Sequence, residues 1–251
     1  FVLIAKNLGG FDHIVERLES AGYAREDRAT PDARLTYRVE RYPMAAPAWE
    51  PLSASLAIAG DAVPVLAFDT NRNMLATNSF STPAGGVNAL LVDAGKGTAA
   101  ELDAADVRGK IVLADLSVSR LFTEAVVRRG ALGVLGYSLP AYLQPERNRT
   151  SIQFGGVARD TVARAWGIAL SFSARERLRA ALAARGSAPV RVHVTTDVRW
   201  TENATERAVI AEVRGATRPA ERFVFSAHVQ EPGANDNASG VGAQVEMARV
   251  A

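Results

Sequence analysis

Arg222-Phe-Val-Phe-Ser-Ala-His228-Val-Gln230-Glu-Pro-Gly233-Ala-Asn-Asp236-Asn-Ala-Ser239-Gly240, continued by Val241 to Ala251, sets the architecture expected of this chain. Phe223 to Ala227 is apolar and uncharged, the pattern of a central strand covered on both faces. His228 then emerges at the carboxyl end of that strand, where α/β enzymes place functional groups. Pro232 and Gly233 turn the chain toward Asp236, which sits between Asn235 and Asn237. Both asparagines tolerate unusual backbone angles and can hydrogen-bond nearby main chain. Ala238, Ser239, Gly240 and Gly242 keep the first turn of a following helix slim, so that it can pack closely on a sheet. Val241, Val245 and Ala248 supply its apolar stripe. An imidazole nitrogen and a carboxylate oxygen are ordinary zinc donors, and a carboxylate can bridge two ions. The same residues also read as a satisfied polar loop at a strand end, because one His and one Asp do not complete a metal site.

Composition narrows the function classes. The 251 residues are 48% hydrophobic and 22% charged, with a formal net charge of +2. That balance suits one large or two ordinary globular domains. Basic residues are scattered and not interleaved with aromatics, so nucleic acid is not an expected partner. The sequence contains no cysteine, which excludes disulfides and thiolate metal sites and leaves His and carboxylates as the available ligands. No apolar run has the length of a membrane span. The chain has no initiator Met and stops in mid-pattern of a helix, so a fragment of a longer protein is expected.

Upstream, Phe11, Ile14, Val15 and Leu18 mark one face of a helix that Gly22 ends. His13 lies off that face and is expected in solvent. Residues 35–42 alternate as a half-buried strand, and residues 55–58 form a shorter one. Tyr42, Trp49 and Pro51 form either a pocket wall or, the preferred reading, an aromatic brace over a loop. From residue 63 short apolar strands alternate with polar loops: strands at 63–68, 89–93, 111–115 and 131–137, and a loop at 71–86. A helix at 121–129 stopping at Gly130 completes a strand–helix–strand crossover. Gly95-Lys-Gly97 is a turn, since its spacing does not fit a phosphate loop. A short helix at 159–166 and a strand at 168–172 are expected next. Ser173 and Glu176 have the spacing of a capping box for a helix ending at Gly186. Residues 190–195 alternate as a strand on which His193 faces the polar side. Residues 197–205 are expected as a linker, and 207–215 as a strand.

The segment from Ala227 to Gly240 resembles the signature of co-catalytic zinc aminopeptidases, His-x-Asp followed by Gly-Ala-Asn-Asp-Asn-x-Ser-Gly. That group includes bacterial leucyl aminopeptidase, aminopeptidase Y, glutamate carboxypeptidase and the transferrin receptor. The resemblance implies that His228 binds one zinc and that Asp236 bridges two. Gln230 stands where the family has an aspartate behind the ligand histidine; it would support the imidazole as a hydrogen-bond acceptor without a negative charge, and Glu231 is a second candidate for that support. At lower specificity, residues 63–198 resemble a protease-associated domain, through Asp106-Val-Arg-Gly-Lys-Ile-Val-Leu113 and Gly130-Ala-Leu-Gly-Val-Leu135. The implied fold is α/β: a partial mixed-sheet zinc-exopeptidase domain interrupted by that insert. Residues 1–62 would begin the peptidase domain and 199–251 would carry its zinc-site segment.

The resemblance also implies what lies elsewhere. A Glu-Glu pair supplying the general base and a ligand, another carboxylate and a distal His would follow Ala251, leaving no catalytic base in this chain. The expected activity is therefore that of a two-zinc metallopeptidase, an aminopeptidase acting on peptide or protein substrates, with the fragment alone inactive. One alternative is a non-catalytic recognition protein on the same fold, as in the transferrin receptor, which Gln230 favours. Another takes residues 63–198 as a peptide- or protein-binding module. Secretion or a periplasmic location is implied by the family alone. Asn148-Arg-Thr150 and Asn203-Ala-Thr205 match the glycosylation pattern without establishing a compartment.

Overall fold

The computed structural model describes residues 8–186, 188–229 and 234–251. In chain order, helix α1 (Leu8–Ser20) precedes strands β1 (Ala24–Arg25), β2 (Leu35–Pro43), β3 (Ala48–Ile58), β4 (Leu66–Ala67) and β5 (Val87–Asp93). Helix α2 (Ala99–Ala104), strand β6 (Ile111–Ala114), helix α3 (Val118–Leu121), strands β7 (Gly133–Gly136) and β8 (Trp166–Ala169) and helix α4 (Phe172–Arg185) follow. Strands β9 (Arg191–Thr201) and β10 (Thr205–Val213) and helix α5 (Ser239–Val250) complete the order. The chain is mixed α/β, and it divides into two compact units: residues 1–50 with 200–251, and residues 51–199.

The first unit is built on a three-stranded sheet of order β1-β2-β10. β10 runs antiparallel to β2 from Thr205↔Pro43 to Val213↔Leu35, so Leu35, Tyr37, Val39 and Val209 share one face. The apolar stripe expected on α1 covers that face. Leu18, Tyr23 and Tyr37 are buried together, with Ile14, Val15, Val209 and Ala248 packed against them. α1 ends as its sequence requires. Gly22 takes φ +91°, Tyr23 N–H donates to Leu18 O and Gly22 N–H to Glu19 O. This is a Schellman close, with the apolar Tyr23–Leu18 contact that usually accompanies it. The Tyr23 hydroxyl then donates to Ala248 O at 3.0 Å, tying α5 to α1. His13 is an exposed helix residue, 3.7 Å from Glu16.

The second unit is built on a seven-stranded sheet of order β4-β3-β9-β5-β6-β7-β8. β5 to β8 are parallel neighbours, and every residue of β6, β7 and β8 is buried, as a strand covered on both faces must be. The crossover helix reaches Gly130 as expected, but only Val118–Leu121 is α-helical and Phe122–Val127 widens to a π turn. Gly136 has no side chain because the α3 backbone lies there: a Cβ would meet Val118 Cα at 2.7 Å. Gly95-Lys-Gly97 is a turn, with both glycines at positive φ.

Five local expectations are corrected. The strand expected at 55–58 is the end of the longer β3, which begins at Ala48. The strand expected at 63–68 shrinks to Leu66–Ala67 pairing Leu56 and Ser55, since Pro64 has no N–H to offer a ladder. No helix forms at 159–166. Asp160 Oδ1 accepts from Val162 N and Ala163 N, a local bond that competes with helix, and Trp166 opens β8 instead, its indole filling the space above Gly133. The cap of α4 is Ser171, whose hydroxyl accepts from Ala174 N, while Ser173 donates to Arg149 O. Residues 197–201 are not linker but the end of β9. The loop at 71–86 also has a structural task. The side-chain amides of Asn71, Asn73 and Asn78 donate to the carbonyls of Thr150, Ile152 and Val157, strapping two loops in one parallel register.

Candidate metal centre

β10 leads into the segment of interest. Arg214 N–H donates to Arg34 O at 2.9 Å, closing the end of the β2–β10 ladder, and Arg218 pairs with Glu221 across a turn. The central strand expected at 223–227 does not form: residues 221–229 adopt no regular structure. Phe223 is 92% exposed and Phe225 61%. Apolar composition supplies the tendency to pair, but among the described residues no strand is hydrogen-bonded to this segment, and a strand exists only through its neighbour.

His228 ends this segment, and Asp236 lies in the turn Ala234–Ala238 that precedes α5. Within that turn Asp236 and Asn237 leave helical angles, at φ −116°, ψ 95° and φ −135°, ψ 29°, and the peptide between them is cis. Their placement depends on α5. A Cβ on Gly240 would stand 2.4 Å from Asn237 Oδ1 and 3.0 Å from its Cγ, so the missing side chain makes room for the Asn237 amide. Asn237 Oδ1 is buried there, with no hydrogen-bond partner among the described residues. The sequence assigned Gly240 to close packing on a sheet. The structure gives it to the residue beside Asp236, and the Asn-x-x-Gly spacing at the start of a helix was the available signal.

The two sequence-expected ligands meet. His228 Nε2 lies 3.2 Å from Asp236 Oδ1, with the His side chain 38% and the Asp 76% exposed. Zinc bound tetrahedrally at ~2.0–2.2 Å from nitrogen and oxygen sets its donors about 3.3 Å apart. The observed pair therefore fits a shared ion as well as a direct ion pair, and its borderline nitrogen and hard oxygen are a zinc donor set. Among the described residues no third His, Cys, Asp or Glu joins them. Gln230 and Glu231, expected behind the imidazole, lie outside the described residues. His193 is held elsewhere, its Nε2 2.8 Å from Gly85 O.

With this geometry in place, the comparisons with known proteins are specific about one part of the chain. The model of peptidase family M28 matches residues 208–251. The whole chain resembles the zinc aminopeptidase from Bacillus subtilis at 19% identity and a TM-score of 0.60, covering 99% of this chain and 53% of that one. The aminopeptidase from Aneurinibacillus sp. strain AM-1 matches at 21% identity and TM-score 0.54, covering 100% and 55%. A peptidase M28 precursor from Shewanella amazonensis matches at 20% and 0.53, covering 86% and 48%. No curated protein matches. The fold is thus that of the zinc aminopeptidases, and the chain spans about half the length of those structures.

Proposed function

We propose, from the match of residues 208–251 to the model of peptidase family M28, that this chain is part of a zinc-dependent aminopeptidase that removes amino-terminal residues from peptides. The observation that carries the reading is the 3.2 Å approach of His228 Nε2 to Asp236 Oδ1 inside the matched segment. His228 would donate its nitrogen to one zinc, and Asp236 would bridge two through its two oxygens. Bound zinc supplies a Lewis acid that polarises a carbonyl and lowers the pKa of coordinated water to about 7. Asn237 and Gly240 set the position from which the Asp236 carboxylate reaches out. Gln230 would accept from the imidazole and fix its ring orientation. His228 and Asp236 alone do not complete a two-zinc site, and no further His, Cys, Asp or Glu joins them among the described residues. Residues 63–198 would be a protease-associated insert that takes no part in the chemistry.

Zinc titration of the complete protein tests this. Two sites are expected, with loss of affinity in His228→Ala and in Asp236→Ala and a parallel loss of leucine p-nitroanilide hydrolysis. Both variants binding zinc like the parent would refute the site. Zinc binding without hydrolysis would favour the recognition protein. Equal cleavage of amino-acetylated and free peptides would refute aminopeptidase specificity, which requires the free amine.

A further inference from the structure

We propose that the α1-facing side of the β2–β10 pair binds a small organic oxyanion. Arg41 and Arg207 are Cα partners in the antiparallel register, so their side chains leave the same face of the sheet as immediate neighbours. Like charges directly opposite each other are destabilising, and a fold that keeps such a pair calls for a counter-charge. The described residues supply little of it. Arg207 Nη1 stands 3.7 Å from Asp12 Oδ1, longer than the ~2.7–2.9 Å of a charge-assisted hydrogen bond. Arg41 forms no ion pair among the described residues.

Both arginines line a cavity of about 340 Å³, together with Arg25 and the largely buried Phe11 and Tyr37. That volume lies within the ~300–1,000 Å³ of small-molecule sites. Arg207 lies 4.0 Å from the centroid of the Phe11 ring, and this stacking holds its planar fork in place. The acids at the rim are Asp12 and Glu16; Glu16 is 3.7 Å from His13, and Arg25 is 3.3 Å from Asp27. Recognition therefore falls to the Arg41–Arg207 pair. Two guanidinium forks match one carboxylate or phosphate head, and Phe11 and Tyr37 fit a ring or short aliphatic body behind it.

Titration calorimetry on the full chain with benzoate and with phenyl phosphate tests the site, and needs no metal, so its outcome is separate from the zinc titration. Saturable one-to-one binding is expected, weakened at least tenfold in Arg41→Gln and in Arg207→Gln. The tighter of the two ligands identifies the head group. Arg207→Gln also loses the Phe11 stacking, so Arg41→Gln, which gives up no ion pair, decides the matter. Without ligand its melting temperature should equal or exceed that of the parent, and the tighter ligand should raise the parent's melting temperature more than the variant's. Absence of saturable binding by either compound, or unchanged binding in Arg41→Gln, would overturn the proposal.

Discussion

Gly240 and Gly242 stand two residues apart at the start of the same helix, and substituting alanine at each isolates what the first one does. At Gly242 an added Cβ meets nothing within 4 Å, whereas at Gly240 it meets Asn237 Oδ1 at 2.4 Å and Asn237 Nδ2 at 3.0 Å. Alanine is favoured over glycine in a helix interior by about 1 kcal/mol. Gly242→Ala should therefore stabilise by up to that amount. Gly240→Ala draws on the same backbone preference but must turn the Asn237 amide, a flexible side-chain end, out of its place, at about 0.5–1.5 kcal/mol for a side chain driven off its rotamer. The difference between the two variants, about 0.5–1.5 kcal/mol, is the contact itself. Urea unfolding followed by far-UV circular dichroism measures it. The double variant Asn237→Ala with Gly240→Ala should recover most of the loss, because the obstructing amide is gone. Zinc affinity of the complete protein should fall in Gly240→Ala and hold in Gly242→Ala, since only the first pushes on the neighbour of Asp236. If the two single variants unfold within about 0.5 kcal/mol of each other, the level of ordinary surface changes, the packing argument is wrong.

Three further outcomes are expected. Asp115 accepts from Arg175 Nε and Nη2, both at 2.6 Å, and from Arg179 Nη1 at 2.9 Å; burial pushes its carboxyl up, and the arginine bonds outweigh that and hold it below the usual range. A depressed folded pKa gives stability that is present above the unfolded value of about 3.9 and lost as pH falls through the folded value. Asp115→Asn should therefore cost ~1–3 kcal/mol at neutral pH, and acid titration of parent and variant should show the gap closing as pH falls below the ordinary Asp value of about 3.9. Gly136→Ala drives a Cβ against Val118 Cα at 2.7 Å and Val118 N at 2.8 Å; backbone cannot rotate aside, so thermal unfolding should show a loss at or above the ~3 kcal/mol end of overpacking. Ser171→Ala removes the hydroxyl that caps α4 and should cost about 1 kcal/mol by urea unfolding; a loss that appears only in Ser173→Ala would move the cap back to the position the sequence suggested.

What could be read from the sequence was what local physics determines. The i, i+3, i+4, i+7 stripe of α1 and its Gly22 stop involve residues within one helix of each other, and both stand in the structure. The apolar run at 111–115 carried its own statement of burial on two faces, and β6 is buried throughout. Pro64 and the Asp160 turn were local signals passed over, and the other failures share one cause, a partner distant in sequence. Asn71, Asn73 and Asn78 looked like loop polarity because the carbonyls they satisfy lie 79 residues on. Ser173 with Glu176 matched a capping pattern, but Ser173 was claimed by Arg149 O and the cap passed to Ser171. Residues 223–227 had the composition of a central strand, and composition cannot supply the neighbouring backbone.

The same distinction separates the two halves of the candidate metal centre. Asp236 is tied into the unit through a chain of contacts: Asn237 against Gly240, α5 behind them, and the Tyr23 hydroxyl on Ala248 O at 3.0 Å. His228 follows a segment with exposed phenylalanines and no ladder pairing. Their 3.2 Å approach therefore joins a carboxylate that is itself 76% exposed, on a turn held by α5, to an imidazole whose preceding backbone is solvated. Donor geometry of this kind gains most from whatever orders the histidine's segment, because a metal site is only as preorganised as its least supported ligand. This adds the backbone before His228 to the Asn237–Gly240 contact as a second place where metal affinity is sensitive. It also explains how a donor pair with zinc-like spacing can coexist with a strand that has not formed.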